Sequence, residues 1–181
     1  PNVFFHDIEP KGKMRPLAVG DDGKAVPMEK ILEIDPDDLG LGACTYTDYT
    51  WRQLIDGWSC TSCARCQDVC PAYASGKGLN PMQVIHDVRN YANEHAPLLL
   101  SGGQPEETMM QRITDEAVWA CTTCNACVDV CPLYIEHVPK LTDLRRNAVM
   151  ETMEYPDQLN VAFDNLDSTS NPYGFGSHER A

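Results

Sequence analysis

The sequence predicts a mainly α-helical protein, and three observations support this prediction. Helix-start signals precede apolar residues at helical spacing in several segments, no strand-rich region is present, and two cysteine-rich runs interrupt the predicted helices. The 181 residues include 12 glycines and 13 prolines, so the connections between the helices are long and irregular. A fold of this kind usually needs a covalent or metal staple, and the nine cysteines are the candidates.

We expect three segments along the chain. Residues 1–45 contain many glycines and prolines and predict an extended N-terminal arm, with one short strand around Lys30–Ile34. Residues 46–155 carry both cysteine runs and most of the helix signals, and they form the predicted main domain. Residues 156–181 are expected to add a short helix at Asp157–Leu166 and a linker.

Two helices are predicted around the first cysteine run. Thr50-Trp51-Arg52-Gln53 is a capping-box pattern, and the helix it starts leads directly into Cys60. Its apolar residues are at helical spacing: Trp51, Leu54, Ile55 and Trp58. Asn80-Pro81 then provides an N-cap and a first-turn proline for a helix to about His95. Its apolar stripe consists of Pro81, Val84, Ile85, Val88, Tyr91 and Ala92.

Further helices are predicted before and after the second run. The segment Pro105–Ala120 is expected to be helical in one or two pieces, with Thr114 as an internal cap. Pro139 is expected to start another helix. One face of this helix is apolar: Val138, Leu141, Leu144, Ala148, Val149 and Met153.

The two cysteine runs are an internal repeat. The segment from Trp58 to Pro71 aligns with the segment from Trp119 to Pro132 at a constant offset of 61 positions. Tryptophan, aspartate, valine and proline recur together with the four cysteines. Both runs read C-x2-C-x2-C-x3-C-P, which is the spacing typical of ferredoxin-type [4Fe-4S] clusters.

This spacing predicts two [4Fe-4S] clusters with crossed ligands. Three thiolates two residues apart let a tight loop surround three corners of a cluster, and the fourth cysteine of each run binds the other cluster. The first cluster is expected to bind Cys60, Cys63, Cys66 and Cys131. The second is expected to bind Cys121, Cys124, Cys127 and Cys70. All eight are therefore the predicted cofactor and metal ligands.

Other uses of the cysteines fit less well. Cysteine makes up about 5% of the chain, below the roughly 8–10% of secreted disulfide scaffolds, and the number is odd. Structural zinc would leave the third cysteine of each run without a role, and neither run has the C-x3-C-x2-C spacing of a radical-SAM site. Cys44 is left over, and we interpret it as a small packed residue.

Several other residues have both a structural and a functional interpretation. The histidines form no ligand-like group in the sequence, and we interpret them as surface or capping residues: His6, His86, His95, His137 and His178. Trp58 and Trp119 either shield a cluster from water or pack in the core. Four basic residues either neutralise cluster charge, dock a partner, or occupy a solvated face: Lys77, Lys140, Arg145 and Arg146.

Charge and motif content limit the possible functions. The formal net charge of −13 argues against nucleic-acid binding, and it indicates either simple solubility or attraction to a basic redox partner. No apolar run approaches the roughly 18 residues needed to cross a bilayer. We find no Gly-rich phosphate loop, Ser/His/Asp set or paired carboxylates at catalytic spacing. An electron relay without a catalytic site of its own is the expected role.

The flanks of the runs resemble one family. The segments Asp48–Leu54, Cys66–Ala72, Gly76–Pro81, Glu136–Lys140 and Asn171–Gly174 look like the α-helical ferredoxin domain of the heterodisulfide reductase C/D-like family. They are most similar to the membrane-bound iron-sulfur oxidoreductases that serve electron-transfer flavoproteins. Ala64 and Asn125 depart from this pattern, since the family often has glycine at both positions.

The resemblance implies partners and a location. In that family a cytochrome-b-like membrane region precedes this domain and cysteine-rich CCG domains follow it. It implies a respiratory-chain relay between a flavoprotein or catalytic site and a membrane quinone-linked partner, on the cytoplasmic face of the cell membrane. The alternative is an iron-sulfur subunit of a soluble heterodisulfide-reductase-like or dehydrogenase complex. A structural metal module is a third possibility, which bound zinc would favour.

Overall fold

A computed structural model describes residues 2–5, 14–17, 26–34 and 41–179 of the chain, and within these ranges the regular structure is entirely helical. The mainly α prediction is therefore confirmed. The helices are α1 (Asn2–Phe5), α2 (Met28–Ile31), α3 (Trp51–Ser59), α4 (Arg65–Asp68), α5 (Pro71–Ala74), α6 (Pro81–Leu100), α7 (Met109–Ile113), α8 (Asp115–Ala120), α9 (Ala126–Asp129), α10 (His137–Met150) and α11 (Gln158–Thr169). Single 3-10 turns lie at Tyr46–Asp48 and Ser177–Glu179.

Helix α3 starts as predicted, and it buries two polar residues. The Thr50 hydroxyl accepts a hydrogen bond from the Gln53 backbone N–H, and the Gln53 side chain accepts one from the Thr50 N–H at 2.8 Å. Of the residues at apolar spacing, Leu54 packs against the core, whereas Trp51 and Trp58 are 62% and 50% exposed. Gln53 and Asp56 are buried because polar partners elsewhere in the chain hold them inside.

Helix α6 is the longest element and forms the centre of the core. The Asn80 side chain accepts hydrogen bonds from the Met82 and Gln83 backbone N–H groups, so the predicted N-cap is confirmed. The helix runs past Pro97 to Leu100, farther than expected. The whole predicted apolar stripe is buried: Pro81, Val84, Ile85, Val88, Tyr91 and Ala92.

Helices α7, α8 and α10 complete the main core. Thr108 caps α7 and Thr114 caps α8, which confirms two helical pieces with an internal cap at Thr114. Helix α10 begins at His137, two residues before the expected start at Pro139. Its buried residues within the main unit have helical spacing and include two polar side chains: His137, Lys140, Leu141 and Leu144.

The N-terminal arm is described only in parts. The strand expected around Lys30–Ile34 is wrong, since Met28–Ile31 is a helical turn. The Lys30 and Ile31 N–H groups both donate to the Pro27 carbonyl, which is a helical arrangement. Most of the remaining arm residues, including His6, lie outside the described ranges.

The chain divides into two compact units, Pro1–Asn147 and Ala148–Ala181. The second unit contains α11, which extends past the expected Leu166 to Thr169 and ends at Ser170 in the left-handed conformation. Tyr155 and Phe163 pack edge to face within this unit, with ring centroids 5.3 Å apart. Among the described residues, no helix has the length and apolar content needed to span a membrane.

Candidate metal centre

The two cysteine runs fold into the same local structure. Ser62 and Ala64 in the first run have positive φ angles of 57° and 61°. Thr123 and Asn125, at the equivalent positions, have φ angles of 54° and 61°. This conformation is accessible to glycine and tolerated by asparagine but strained for alanine. Glycine would therefore suit both Ala64 and Asn125, and Ala64 adopts this conformation at a cost in backbone strain.

Backbone N–H groups point at the first thiol of each run. The Ser62 N–H donates to Cys60 Sγ and the Thr123 N–H donates to Cys121 Sγ, both at 3.4 Å. The short helices α4 and α9 follow each turn and contain the third cysteine of their run, Cys66 or Cys127. Both of these thiols are buried.

Eight cysteines line two neighbouring cavities in sets of four. The first cavity is lined by Cys60, Cys63, Cys66 and Cys131. The second is lined by Cys70, Cys121, Cys124 and Cys127. Each cavity thus combines three cysteines of one run with the fourth cysteine of the other, which is the grouping that the spacing predicts. Within each cavity one thiol is solvent-exposed, Cys63 in the first and Cys124 in the second.

The buried thiols are poorly placed to ionise without a metal. Burial, together with the nearby Cys60 and Cys131, raises the pKa of the Cys66 thiol to about 11. Burial, together with Cys121 and Cys124, raises the pKa of the Cys127 thiol to about 12. A metal centre reverses this preference, because it binds the thiolate and displaces the proton. The four sulfur donors and the backbone N–H group at each cavity fit an iron-sulfur cluster.

The thiols are not arranged around a single ion. In the part of the chain that the structure describes, no three His, Cys, Asp or Glu side chains converge closely enough to hold one metal ion. All nine cysteines lie within the described ranges, and none is in a disulfide. Cys44 lines neither cavity; its carbonyl accepts from the Met109 N–H at 2.8 Å, in a structural connection outside the runs.

His137 lies at the junction of the two cavities. It lines both of them and is only 2% exposed. Its Nδ1 is buried and has no hydrogen-bond partner among the described residues. Burial and the charge of Lys140 lower the pKa of His137 to about 4, so the imidazole is neutral at physiological pH. The interpretation of His137 as a surface or capping residue is therefore wrong.

Lys140 forms a buried ion pair that the sequence did not indicate. Its ammonium donates to Asp56 Oδ2 and to the Glu136 carbonyl at 2.9 Å, and Lys140 has no exposed side-chain surface. Asp56 also accepts from the Glu136 N–H at 3.3 Å and from the Asn2 amide. The interpretation of Lys140 as part of a solvated face is wrong. The sequence could have indicated that Lys140 is buried, because residues 137, 140, 141 and 144 lie on one face of α10.

Arg145 is the cation fixed next to the second cavity. Its Nε and Nη2 donate to the Val118 carbonyl at 3.1 and 2.7 Å, and Nη2 also donates to the Cys121 carbonyl at 2.6 Å. The guanidinium lies 5.3 Å from the centre of the Trp119 ring. At the first cavity the corresponding neighbour is His86, whose Nε2 lies 3.7 Å from Cys60 Sγ and 3.0 Å from the Ser62 hydroxyl.

Comparison with known proteins identifies the class of this domain. A family model for the 4Fe-4S dicluster domain matches residues 52–132. This match covers nearly all of α3, both cysteine runs and the helices between them. The chain thus carries a dicluster domain of the ferredoxin type, with two [4Fe-4S] clusters as its cofactors.

Curated relatives then relate this domain to particular oxidoreductases. The chain is 37% identical over 164 residues to the EtfAB:quinone oxidoreductase of Syntrophomonas wolfei, a match that covers 78% of the chain and 23% of the relative. It is 36% identical over 173 residues to a probable membrane-anchored ferredoxin of Chromohalobacter salexigens, with 86% of the chain and 26% of the relative covered.

Heterodisulfide reductase subunits are also relatives. One subunit of the ferredoxin:CoB-CoM heterodisulfide reductase of Methanosarcina mazei is 33% identical over 110 residues, which cover 60% of the chain and 56% of that relative. The resemblance expected from the sequence is therefore confirmed. The chain spans about a quarter of the length of the first two relatives. No solved structure matches the chain.

Proposed function

We propose that this chain relays electrons, one at a time, between a flavoprotein and a membrane quinone-linked partner. Iron-sulfur electron transfer is common to its oxidoreductase relatives. The observation that carries the proposal is the pair of adjacent cavities, each with four cysteines contributed by both runs. Two adjacent cofactor sites, each built from cysteines of both runs, suit the transfer of electrons across the domain.

Each set of four cysteines is proposed to hold one cluster. Cys60, Cys63, Cys66 and Cys131 would hold the first, and Cys70, Cys121, Cys124 and Cys127 the second. A [4Fe-4S] cluster, when bound, supplies reversible one-electron redox chemistry. The N–H groups of Ser62 and Thr123 stabilise the thiolates of Cys60 and Cys121 through hydrogen bonds to sulfur.

The exposed cysteines indicate where partners approach. Cys63 and Cys124 are the exposed members of their cavities, so each cavity is nearest to solvent on the side of one of these two residues. A protein that docks over either residue comes closest to the redox centre, and electron transfer depends on such close approach. The acidic chain, with its net charge of −13, favours a partner that presents a basic surface.

The nature of the partners is inferred from the relatives. The Syntrophomonas relative is named as an EtfAB:quinone oxidoreductase and the Chromohalobacter relative as membrane-anchored. By analogy, an electron-transfer flavoprotein is the proposed donor. The proposed acceptor is a cytochrome-b-like or CCG-domain component at the cytoplasmic face of the membrane, in the same polypeptide or in another one.

A second candidate is an iron-sulfur subunit of a soluble heterodisulfide-reductase-like complex. The match to the Methanosarcina mazei relative favours it, because more than half of that relative is covered. Anaerobic mixing with a reduced electron-transfer flavoprotein separates the two candidates. Rapid bleaching of the visible absorbance, followed by reoxidation with a quinone-linked membrane fraction, supports the first; no reduction by the flavoprotein contradicts it.

The cluster assignment is tested by metal analysis and EPR on anaerobically purified protein. The proposal expects about eight iron and eight sulfide per chain and the EPR signals of two interacting reduced clusters. Zinc without acid-labile sulfide, also in protein from the native host, would contradict the redox role. Cys44→Ser is the matched control, since Cys44 lines neither cavity, and it should keep the full iron content.

Single substitutions test the crossed ligands. Cys131→Ser lies in the second run but should perturb the cluster held mainly by the first run. Cys70→Ser should have the reverse effect. Pairing Cys131→Ser with Cys60→Ser and comparing their EPR spectra makes the test specific, because both variants should lose or alter the same signal. If Cys131→Ser instead resembles Cys121→Ser, the crossed assignment is wrong.

A further inference from the structure

We propose that His137 is a positioning residue shared by the two clusters, and that its Nδ1–H donates a hydrogen bond to a sulfur atom at their junction. This inference rests on the proposed function, because it requires that both cavities hold clusters. It goes beyond the eight cysteines by assigning an electronic role to a residue outside both motifs. The carrying observations are its position in both cavities and its unpartnered buried nitrogen.

The position of His137 is unique among the residues that line the two cavities. Within the described part of the chain, it is the one residue that lines both. It is the first residue of α10, and it lies six positions after Cys131. Cys66 lines the first cavity, Cys127 lines the second, and both are buried. The two thiols are close enough for Cys66 to raise the pKa of Cys127, so the two cavities are adjacent.

The buried Nδ1 of His137 lacks a hydrogen-bond partner among the described residues, so we ask which acceptor the cavities could supply. Buried polar atoms in folded proteins are almost always hydrogen-bonded, because an unpaired one has lost its water without replacement. Around His137 the two cavities are lined with thiols, and a cluster would add inorganic sulfide. The Ile135 carbonyl lies near enough to the ring to raise the pKa of His137, but Nδ1 makes no hydrogen bond to it or to any other described residue. Sulfur atoms are the other acceptors that surround the ring in both cavities.

The surroundings hold His137 in one position. An imidazole ring carries at least one N–H, so it can donate a hydrogen bond in either protonation state. The charged groups that face it are Lys140, on the same helix, and Asp56, from α3. Because these two pair with each other, they fix the first turn of α10 while adding little net charge.

A hydrogen bond from His137 has a defined electronic effect. A donor to cluster sulfur stabilises the more negative, reduced state, and it raises the reduction potential of that cluster. A residue that contacts both clusters also contributes to the packing that sets their relative position. Removal of the donor should therefore lower at least one midpoint potential and change the magnetic interaction between the reduced clusters.

The test compares two substitutions that differ in their hydrogen-bonding capacity. His137→Leu removes the donor and keeps an apolar side chain of moderate volume. His137→Asn places an amide near the position of Nδ1 and retains a donor. His95→Leu is the control, since His95 lines neither cavity and contacts Glu107 instead. Iron and sulfide analysis comes first, followed by redox titration monitored by EPR.

The expected result is a full iron content in His137→Leu, with at least one midpoint shifted to lower potential and an altered interaction signal. His137→Asn should restore the potential toward that of the wild type, and His95→Leu should leave both potentials unchanged. A fully loaded His137→Leu variant with wild-type potentials and interaction signal overturns the inference. Wild-type protein without iron and sulfide overturns the proposed function instead, so the two failures are distinguishable.

If His137→Leu loses iron, the His137→Asn variant decides whether the hydrogen-bond donor or the shape of the side chain is responsible. If the asparagine variant binds both clusters at wild-type potentials, a donor at this position supports the clusters and the inference stands. If the asparagine variant loses iron to the same extent, His137 acts through its shape alone and the inference is overturned.

Discussion

Lys140 and Asp56 form an ion pair that is buried at both ends and joins residues 84 positions apart. Asp56 lies in α3, which leads into the first cysteine run, and Lys140 lies in α10, which follows the second. The pair thus connects the two halves of the repeat beside His137, at the junction of the cavities. The ion pair therefore fixes the positions of the two cysteine runs relative to each other.

Breaking this pair from one side should destabilise the protein strongly. Lys140→Met or Asp56→Asn leaves an uncompensated buried partner, and the expected loss is about 3–5 kcal/mol in the free energy of unfolding. The double variant should lose clearly less than the sum of the two single losses, because neither charge remains. Anaerobic guanidinium unfolding measures these values, with the exposed Lys77→Met as control. Additive losses would contradict a direct interaction between the two side chains.

Ala64→Gly should stabilise the first cysteine loop. Ala64 has a φ angle of 61°, which costs an alanine about 1–2 kcal/mol, and glycine removes this cost while adding some entropy to the unfolded chain. The expected net gain is about 1 kcal/mol or slightly less. Asn125→Gly is the matched control in the second loop, where asparagine already tolerates φ 61° and little change is expected. Thermal unfolding under anaerobic conditions compares the two, and equal gains would argue against the strain at Ala64.

Gly42→Ala should strongly lower the free energy of unfolding. A Cβ at Gly42 would lie 2.3 Å from the Asp143 carbonyl oxygen and 2.5 Å from the Asn147 nitrogen, and the φ angle is +90°. Overlap with backbone atoms and the positive φ together predict a loss of about 3 kcal/mol or more. Gly76→Ala shares the positive φ of +78° but meets no atom within 4 Å, so it should lose only about 1 kcal/mol. Similar losses at the two sites in urea unfolding would contradict this explanation.

Arg145→Gln should lower the potential of the second cluster selectively. The guanidinium is bonded to the Cys121 carbonyl, and a fixed positive charge there favours the reduced, more negative state. Arg145→Lys keeps the charge but loses the fork of hydrogen bonds, so it should retain most of the wild-type potential. Arg65→Gln is the control, because Arg65 lines the first cavity with its side chain exposed to solvent. In a redox titration of Arg145→Gln, only the midpoint potential of the second cluster should move. Equal shifts in Arg145→Gln and Arg145→Lys would indicate that Arg145 has a structural role only.

Local signals in the sequence were sufficient for the helix starts. The Asn80-Pro81 start and the Thr50 capping box depend on residues three or fewer positions apart, so the chain specifies them without reference to its tertiary structure. The crossed sets of four cysteines join the two distant runs, so that grouping comes from the ferredoxin ligand pattern and stays a prediction. The strand expected near Lys30–Ile34 failed because a short apolar run alone does not distinguish a strand from a helical turn.

Long-range partners explain the features that sequence reasoning missed. Gln53 is buried because its amide donates to Asp143 Oδ2 at 2.6 Å, across 90 positions of sequence. His137 and Lys140 are buried for a similar reason, since their surroundings come from both cysteine runs and from α3. No local pattern contains such information. The helical spacing of the apolar residues in α3 therefore did not indicate that Gln53 and Asp56 would be buried while the tryptophans are exposed.

The crossed arrangement of the cysteines has a consequence for biosynthesis. During translation, the loop that contains Cys60, Cys63 and Cys66 leaves the ribosome well before Cys131, the fourth cysteine of the same cavity, has been made. The other cavity has only Cys70 until Cys121, Cys124 and Cys127 follow. On the proposed ligand assignment, neither set of four thiols is complete until the second run has been synthesised, so a nascent chain that stops between the runs lacks the full ligand set of either centre. Under this assignment, full ligation of either cluster is expected only after nearly the whole domain has been made, and truncation products are expected to lack intact clusters.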